Sequence, residues 1–199
     1  MPANYREVLA RQIYATSNIK GQFRLRSGTV SDEYFDKYRF ESDPVLLREI
    51  AHAMCALVPP DIDALAGLEM GGIPIVTVLS QLTGIPALFV RKKAKEYGTC
   101  NLVEGGEVAG CKLAVVEDIV TTAGQIRESV RALRALGAEI VGVLCVVDRE
   151  AGGAANLAED GLPLHALYTM TEVKEAMSRG SCVRCSKLCY TGQERYRVE

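Results

Sequence analysis

The chain has 199 residues, which is the size of one domain with at most a small appendage. Hydrophobic residues make up 48% of it and the formal net charge at pH 7 is −2, so a sizeable core is possible and no overall charge bias points to nucleic acid or a membrane surface. No apolar run approaches membrane-spanning length, and the first few residues contain no signal-peptide core, so a cytoplasmic location is expected.

The amino-terminal region predicts one helix followed by short strands. Residues 4–16 have helical periodicity, whereas residues 21–40 read as short strands broken by turns. Phe23 and Leu25 alternate there with two arginines, which is typical of a half-buried strand. A second helix is predicted over residues 45–57, because a suitable N-cap, Asp43, precedes it and is followed by a proline.

A strand–turn–helix unit comes next. It has a strand at residues 64–68, a helix at residues 73–82 and, between them, a turn of four residues: Glu69, Met70, Gly71 and Gly72. The backbone amides of this turn are one possible anion site. The alternative is that its glycines serve only the geometry of the turn.

A strand at residues 87–90 runs into a long polar loop. The loop begins with four cations in five residues, which are Arg91, Lys92, Lys93 and Lys95. Such a run is most often a solvated surface, but at the carboxyl end of a strand beside a phosphate-binding turn its natural partner is a polyphosphate. Long loops inside compact domains are commonly lids or binding loops.

Residues 113–136 form a second strand–turn–helix unit. Its strand, predicted to end at Glu117, delivers two acids, Glu117 and Asp118, and a turn of small residues at 121–125 precedes an amphipathic helix at 126–136. Free amides at the start of a helix suit a phosphate, and carboxylates suit sugar hydroxyls or a hard cation. The pattern therefore favours a ribose 5-phosphate. The alternative is a plain βα unit with a polar loop.

The remaining segments continue the alternation of strands and helices. Strands are predicted at 140–147 and 164–168, a short and partly helical stretch at 151–160, and a helix at 172–177. This order predicts an α/β fold with a parallel sheet flanked by helices.

Seven cysteines are present; six of them divide into two groups, and the seventh, Cys100, lies in the long polar loop. Three of them, Cys55, Cys111 and Cys145, lie in apolar segments and read as buried reduced thiols. Three others, Cys182, Cys185 and Cys189, lie close together in the carboxyl-terminal tail. They are either surface thiols or ligands of zinc or an iron–sulfur cluster.

Three motifs resemble one known family. Residues 115–125, VVEDIVTTAGQ, closely resemble the phosphoribosyl-pyrophosphate (PRPP) signature of type I phosphoribosyltransferases. Residues 90–99, VRKKAKEYGT, resemble the basic catalytic loop of the orotate phosphoribosyltransferase family. Residues 23–28, followed by 34–36, resemble the amino-terminal hood of that family.

The resemblance implies a single phosphoribosyltransferase domain over residues 1–199, with a hood at about 1–42, a core at about 43–170 and a tail at 178–199. It implies Mg²⁺-dependent transfer of a phosphoribosyl group from PRPP to orotate, with release of diphosphate and Mg²⁺ held through the substrate without a firm protein ligand. It also implies a homodimer, with the basic loop reaching the partner's site. An oxocarbenium-like transition state needs no covalent nucleophile, and neither His52 nor His165 receives a role.

The resemblance also implies roles for individual residues. The residues implied to bind PRPP are Arg91, Lys92, Lys95, Tyr97, Glu117, Asp118, Ile119, Val120, Thr121, Thr122, Ala123, Gly124 and Gln125. Those implied to act in catalysis are Lys95, Asp118 and Arg91. The implied pyrophosphate loop is Glu69, Met70, Gly71 and Gly72, with a cis peptide expected at Glu69–Met70. The implied orotate-binding residues are Arg26, Tyr34, Phe35, Thr121 and Arg149.

Arg149 has a rationale of its own, because a guanidinium can pair bidentately with the orotate carboxylate. The alternative is a salt bridge to Asp148 or Glu150.

Two residues depart from the family pattern. Tyr97 stands where a histidine is common, and Gly71 stands where a lysine is often present. These departures leave open a regulator that senses PRPP without catalysis, and a phosphoribosyltransferase for another base, such as a purine, is the other alternative. Arg149 argues against a purine, which has no carboxylate to pair.

Overall fold

The computed structural model describes residues 3–24, 28–93 and 101–179. The chain begins with helix α1 (Ala3–Ser17), which confirms the first predicted helix. Strands β1 (Asn18–Arg24) and β2 (Val30–Phe35) then form an antiparallel pair whose register shifts between Lys20 and Phe23. These elements are the first part of the hood.

The hood ends in a short helix that was not predicted from the sequence. Residues read as strand up to position 40 instead form helix α2 (Tyr38–Ser42). The Asp36 carboxylate accepts a hydrogen bond of 3.2 Å from the Tyr38 N–H at its start. Phe40, which is fully buried, anchors the helix in the core. The strand prediction was therefore wrong here, because a local turn held by the Asp36 side chain and one buried aromatic residue outweigh the β-propensity of the segment.

Helix α3 (Pro44–Met54) follows as predicted and continues into a 3₁₀ turn (Cys55–Leu57). The Asp43 carboxylate accepts hydrogen bonds from the N–H groups of Val45 and Leu46, both at 3.0 Å. This arrangement is the expected N-cap.

The centre of the molecule is a six-stranded sheet in the order β5-β4-β3-β6-β7-β8. Its strands are β3 (Ala64–Leu68), β4 (Ala87–Val90), β5 (Val103–Glu104), β6 (Lys112–Val120), β7 (Glu139–Asp148) and β8 (Leu164–Thr169). Strand β5 is antiparallel to β4, and the other neighbouring pairs are parallel. All carboxyl ends of the parallel strands therefore meet at one edge of the sheet, where open α/β sheets bind ligands.

Helices cover both faces of the sheet. They are α4 (Gly72–Thr83), α5 (Gly124–Ala135), α6 (Gly153–Glu159) and α7 (Met170–Arg179), in addition to α1 and α3. One buried cluster joins α1, α3, α4 and α7 to the sheet, and a second joins α5 and α6 to the opposite face. This arrangement confirms the predicted fold class, a parallel sheet flanked by helices with an amino-terminal hood.

Strand β6 is longer than predicted. It was expected to end at Glu117 but pairs with β7 as far as Val120, which lies opposite Asp148. Both acids therefore lie within a paired strand, and alternation puts Asp118 on the same face as Ala114 and Val116.

Among the cysteines in the described part of the chain, only Cys145 is buried, while Cys55 and Cys111 are partly exposed; all three are free thiols. The expected burial is thus confirmed for Cys145, and it was wrong for Cys55 and Cys111. The tail cysteines Cys182, Cys185 and Cys189 lie outside the described residues. None of the helices in the described ranges is long and apolar enough to cross a membrane.

Candidate active site

Residues 121–123 join β6 to α5, and together with the first two residues of α5 they form the segment 121–125, the phosphate loop. Ala123 has a left-handed backbone (φ 60°) and is buried, while Thr121, Thr122, Gly124 and Gln125 are exposed. Helix α5 begins at Gly124 and has 12 residues, so its first N–H groups and its dipole face this loop. The predicted order of strand, small-residue turn and amphipathic helix is confirmed, and the loop has the features of an anion site.

Helix α6 supports the phosphate loop from outside. The Asn156 side-chain amide donates a hydrogen bond of 3.0 Å to the Thr122 carbonyl. Gly153 packs so closely that a Cβ atom placed on it would lie 2.5 Å from the Thr121 carbonyl oxygen. This support was not predicted, because residues 151–160 show only weak helical character in the sequence.

The two acids of β6 differ in their surroundings. Asp118 is fully buried, and its Oδ1 accepts a hydrogen bond of 2.5 Å from the Ile119 N–H. Its Oδ2 lies 2.6 Å from Nζ of Lys37, which projects from the hood. Glu117 is partly buried, and burial together with the charge of Asp118 raises the pKa of Glu117 to about 8.

A third acid, Glu41, completes this group. Glu41 is 8% exposed, and its Oε1 has no hydrogen-bond donor among the described residues. Burial, followed by a hydrogen bond to Asp118 and its charge, raises the pKa of Glu41 to about 9. Glu41 therefore holds a proton near neutral pH, and a proton donated to Asp118 satisfies both buried carboxyl groups.

Lys37 balances the charge of this group. Burial alone would lower the pKa of Lys37, but the hydrogen bond and the charge of Asp118 outweigh it and raise that pKa. Neither Lys37 nor Glu41 was predicted as a site residue. Lys37 directly follows the hood motif at residues 34–36, but a motif does not reveal which strand a hood helix will contact.

The pyrophosphate loop, residues Glu69, Met70, Gly71 and Gly72, lies against these acids. The peptide bond between Glu69 and Met70 is cis, as expected. A Cβ atom on Gly71 would lie 1.6 Å from Asp118 Oδ2, and one on Gly72 would lie 2.3 Å from the Val116 carbonyl oxygen. Both glycines are therefore required by close packing against β6, whatever the loop binds.

The basic segment after β4 is joined to the same loop. The Glu69 carboxylate accepts a hydrogen bond of 2.7 Å from the Lys92 N–H, and the Arg91 N–H donates to the Leu102 carbonyl at 2.9 Å. Arg91 is partly buried, and its Nε has no hydrogen-bond partner among the described residues. Arg91 and Lys92 thus lie at the same sheet edge as the acids. Lys95 and Tyr97 lie outside the described residues.

Arg149 is at the end of β7, next to the phosphate loop. Its N–H donates to the Val120 carbonyl at 2.8 Å, and its side chain is exposed. Within the described ranges its guanidinium forms no salt bridge with Asp148 or Glu150. Asp148 accepts a hydrogen bond from the Glu150 N–H, and Glu150 accepts hydrogen bonds from Thr171. The alternative interpretation of Arg149 as a local salt-bridge residue is therefore wrong.

The predicted orotate-binding residues of the hood differ in exposure. Tyr34 is 45% exposed and stacks near Phe23, with ring centroids 5.5 Å apart. Phe35 is buried in the core cluster next to Tyr14, so its side chain supports the hood from within. Arg26 lies outside the described residues. The orotate-binding roles remain predictions.

The acids fit a magnesium ion that is held mainly by a substrate. In the described ranges, no group of three or more His, Cys, Asp or Glu side chains could hold a metal ion. Asp118 is occupied by Lys37, which leaves Glu117 as the less engaged carboxylate. Magnesium commonly binds through one or two carboxylates plus phosphate oxygens, which is compatible with this donor set.

Comparison with known proteins shows which class of protein this chain belongs to. Residues 43–160 match the phosphoribosyl transferase domain family. The chain is 51% identical over 173 residues to an orotate phosphoribosyltransferase from a Nocardioides species, covering 87% of this chain and 97% of that protein. It is 43% identical to the orotate phosphoribosyltransferase of Halobacterium salinarum, covering 78% and 89%.

A solved structure extends the comparison. The Mycobacterium tuberculosis H37Rv orotate phosphoribosyltransferase in complex with PRPP superposes with a TM-score of 0.74 at 30% identity, covering 85% of this chain and 99% of that one. The protein is thus a type I phosphoribosyltransferase. Within that class, the chain belongs to the orotate phosphoribosyltransferase family.

Proposed function

We propose that the protein transfers the phosphoribosyl group of PRPP to orotate in a Mg²⁺-dependent reaction that gives orotidine 5′-phosphate and diphosphate. The observation that carries the proposal is the meeting of three elements at one sheet edge: the phosphate loop, the cis-peptide pyrophosphate loop and the basic segment. The family membership supports it, because relatives named for this activity align with nearly their full length.

The phosphate loop binds the 5-phosphate in this proposal. Its residues are Thr121, Thr122, Ala123, Gly124 and Gln125, and main-chain amides supply most of the donors. Glu117 and Asp118, with the neighbouring Ile119 and Val120, line the ribose, and the two carboxyl groups form hydrogen bonds with its hydroxyls. Anchoring both ends of the sugar fixes C1 for attack by the base.

The leaving group determines most of the barrier. As the bond to diphosphate breaks, the ribose becomes oxocarbenium-like and negative charge grows on the leaving oxygens. Arg91 and Lys92 approach that charge from the end of β4, together with the amides of Glu69, Met70, Gly71 and Gly72. Bound Mg²⁺ would neutralise part of the same charge. Lys95 and Tyr97, which lie outside the described residues, are the further members of this set in the proposal, with a homodimer as the proposed assembly.

Orotate recognition relies on charge and stacking. Arg149 offers an exposed guanidinium at the carboxyl edge to the orotate carboxylate, and Tyr34 offers an exposed ring. Arg26, Phe35 and Thr121 are the other members of the proposed orotate site. A purine lacks the carboxylate that Arg149 would pair, so adenine should be a poor substrate.

The test is to mix the protein with Mg²⁺, PRPP and orotate and to follow the orotate absorbance. Consumption of orotate, with little consumption of adenine in a parallel reaction, supports the proposal. Binding of PRPP without consumption of either base would favour the alternative function, a regulator that senses PRPP without catalysis. The observation that favours this alternative is the glycine at position 71, which has no room for a side chain.

The test for the three tail cysteines is metal analysis of protein purified without chelator. We propose that Cys182, Cys185 and Cys189 are reduced thiols. Zinc or iron in the purified protein would contradict this and indicate a metal site.

A further inference from the structure

The hood supplies a cation to the centre of the candidate site. Lys37 belongs to the hood, yet its Nζ lies 2.6 Å from Oδ2 of Asp118, which is fully buried at the end of β6. Its side chain is still 32% exposed. The Lys37 side chain therefore contacts a buried carboxylate while part of it stays exposed to solvent.

The same ammonium group lies beside the pyrophosphate loop. A Cβ atom on Gly71 would lie 1.6 Å from the Asp118 oxygen that Lys37 contacts, and 3.0 Å from Oε1 of Glu41. No side chain can extend from position 71 without displacing these carboxyl groups. A positive charge at this end of the pyrophosphate loop therefore has to come from another element, and Lys37 is already there.

The charge balance of the group explains why a cation is needed. Glu41, Glu117 and Asp118 are three acids within one small region, and Lys37 contacts the buried Asp118 among them. A diphosphate carries several negative charges and would be repelled by Asp118 if that carboxylate had no counter-ion. Because the lysine side chain is flexible, its ammonium group can move from the Asp118 carboxylate to the diphosphate oxygens.

We propose that Lys37 binds the diphosphate group of PRPP and that Asp118 holds it beside the pyrophosphate loop in the free protein. When the ribose hydroxyls take Asp118, Lys37 changes its partner from that carboxylate to the diphosphate oxygens. Gly71 and Lys37 then act as a pair: the glycine admits the Asp118 carboxylate, and the hood lysine brings the charge. The inference deepens the proposed function, because it assumes that PRPP is the substrate.

The test uses calorimetry in the presence of Mg²⁺ to measure separately the binding of two compounds that each represent part of PRPP, inorganic diphosphate and ribose 5-phosphate. Lys37→Met should weaken binding of inorganic diphosphate by roughly tenfold or more, because a charge-assisted contact is lost. Binding of ribose 5-phosphate should be unchanged or tighter, because Asp118 is free to accept the hydroxyls. Lys37→Arg should keep most of the diphosphate affinity. Lys174→Met, which removes an exposed lysine near Glu33, is the matched control.

A second measurement uses the unchanged protein and avoids any question of folding. The rate of Lys37 acetylation by a small amine-reactive ester should rise when ribose 5-phosphate takes Asp118, and should fall when diphosphate is added as well. Lys174 should react at a constant rate throughout.

Three results would overturn the inference. Lys37→Met could leave diphosphate affinity unchanged while tightening ribose 5-phosphate, which would make Lys37 a plain competitor for Asp118. Lys37→Met could weaken the binding of both compounds equally and lower the melting temperature, which would make Lys37 a structural counter-ion. Diphosphate could also fail to protect Lys37 from acetylation. Orotate turnover is scored separately, so an inactive protein with Lys37-dependent diphosphate binding would refute only the proposed reaction.

Discussion

The Glu69 carboxylate accepts a hydrogen bond of 2.7 Å from the main-chain N–H of Lys92. Glu69 belongs to the pyrophosphate loop, and Lys92 belongs to the basic segment after β4. The Glu69 N–H also donates to the Val90 carbonyl at 2.8 Å, so the residue is bonded to the end of β4 at two points. The two loops that would face the leaving diphosphate therefore start from one fixed position.

Removing this acceptor should loosen the start of the basic segment. We predict that Glu69→Ala lowers kcat/KM for PRPP by roughly tenfold, which is the cost of one lost hydrogen bond to a charged acceptor. Glu69→Gln keeps a carbonyl acceptor and should retain most of the activity. Glu139→Ala removes an exposed glutamate from the opposite edge of the sheet and is the control. Equal activity in Glu69→Ala and the control would show that the hydrogen bond does not position the segment.

Gly71 should tolerate no side chain. A Cβ atom at this position would lie 1.6 Å from Asp118 Oδ2, so Gly71→Ala must displace the carboxylate that holds Lys37. We predict a loss of PRPP affinity of roughly tenfold or more, measured by calorimetry. Gly71→Lys should be at least as impaired, although it restores a lysine that is often present in this loop.

A glycine with open space around it provides the control for this variant. A Cβ atom placed on Gly161 would meet no other atom of the described residues within 4 Å. The backbone there is left-handed (φ 71°), which asparagine tolerates. Gly161→Asn should bind PRPP like the unchanged protein. If Gly71→Lys bound PRPP more tightly than the unchanged protein, the idea that Lys37 replaces a loop lysine would be wrong.

Local signals account for most of what was predicted correctly. The Asp43 cap and the strand–turn–helix unit around the phosphate loop are each specified within a few residues. The position of Asp118 at the carboxyl edge follows from the rule that parallel strands end together. These features needed no knowledge of distant contacts.

The partners of Asp118 could not be predicted in this way. Lys37 and Glu41 are far from Asp118 in sequence, and they come near it at the start and within α2, which is anchored in the core by the buried Phe40. The extension of β6 to Val120 likewise depends on pairing with β7, which is a tertiary contact. A single sequence specifies its local turns and periodicities, but the elements that a short hood helix will contact are decided by packing.

Glu41 should make the stability of the protein depend on pH. Its pKa rises from an ordinary value of 4.5 to about 9, through burial and then through Asp118, so the folded state holds a proton that the unfolded state releases. Stability from this group is complete below pH 4.5 and is lost as the pH rises toward 9. Lys37 and Glu117 face the same group, and Lys37 opposes the shift.

Glu41→Gln tests this dependence, because the amide keeps the shape without the titration. Urea unfolding at about pH 6 and about pH 8 should show a smaller decline in the free energy of unfolding for the variant, with a difference of up to about 1.4 kcal/mol per pH unit. Glu128→Gln, which changes an exposed glutamate on α5, should follow the unchanged protein. Parallel curves for Glu41→Gln and the unchanged protein would mean that Glu41 is ionised in the folded state.

Asn156 should act on PRPP binding without touching the ligand. Its amide donates to the Thr122 carbonyl at 3.0 Å, so it fixes the orientation of the peptide that leads into the phosphate loop. We predict that Asn156→Leu weakens binding of ribose 5-phosphate by roughly fivefold to tenfold, because the loop loses one anchoring hydrogen bond. Diphosphate binding, which involves other loops, should change little. Ala155→Leu, on an exposed position of the same helix, should leave both affinities unchanged. If Asn156→Leu weakened the binding of ribose 5-phosphate and of diphosphate equally, α6 would instead support the whole domain.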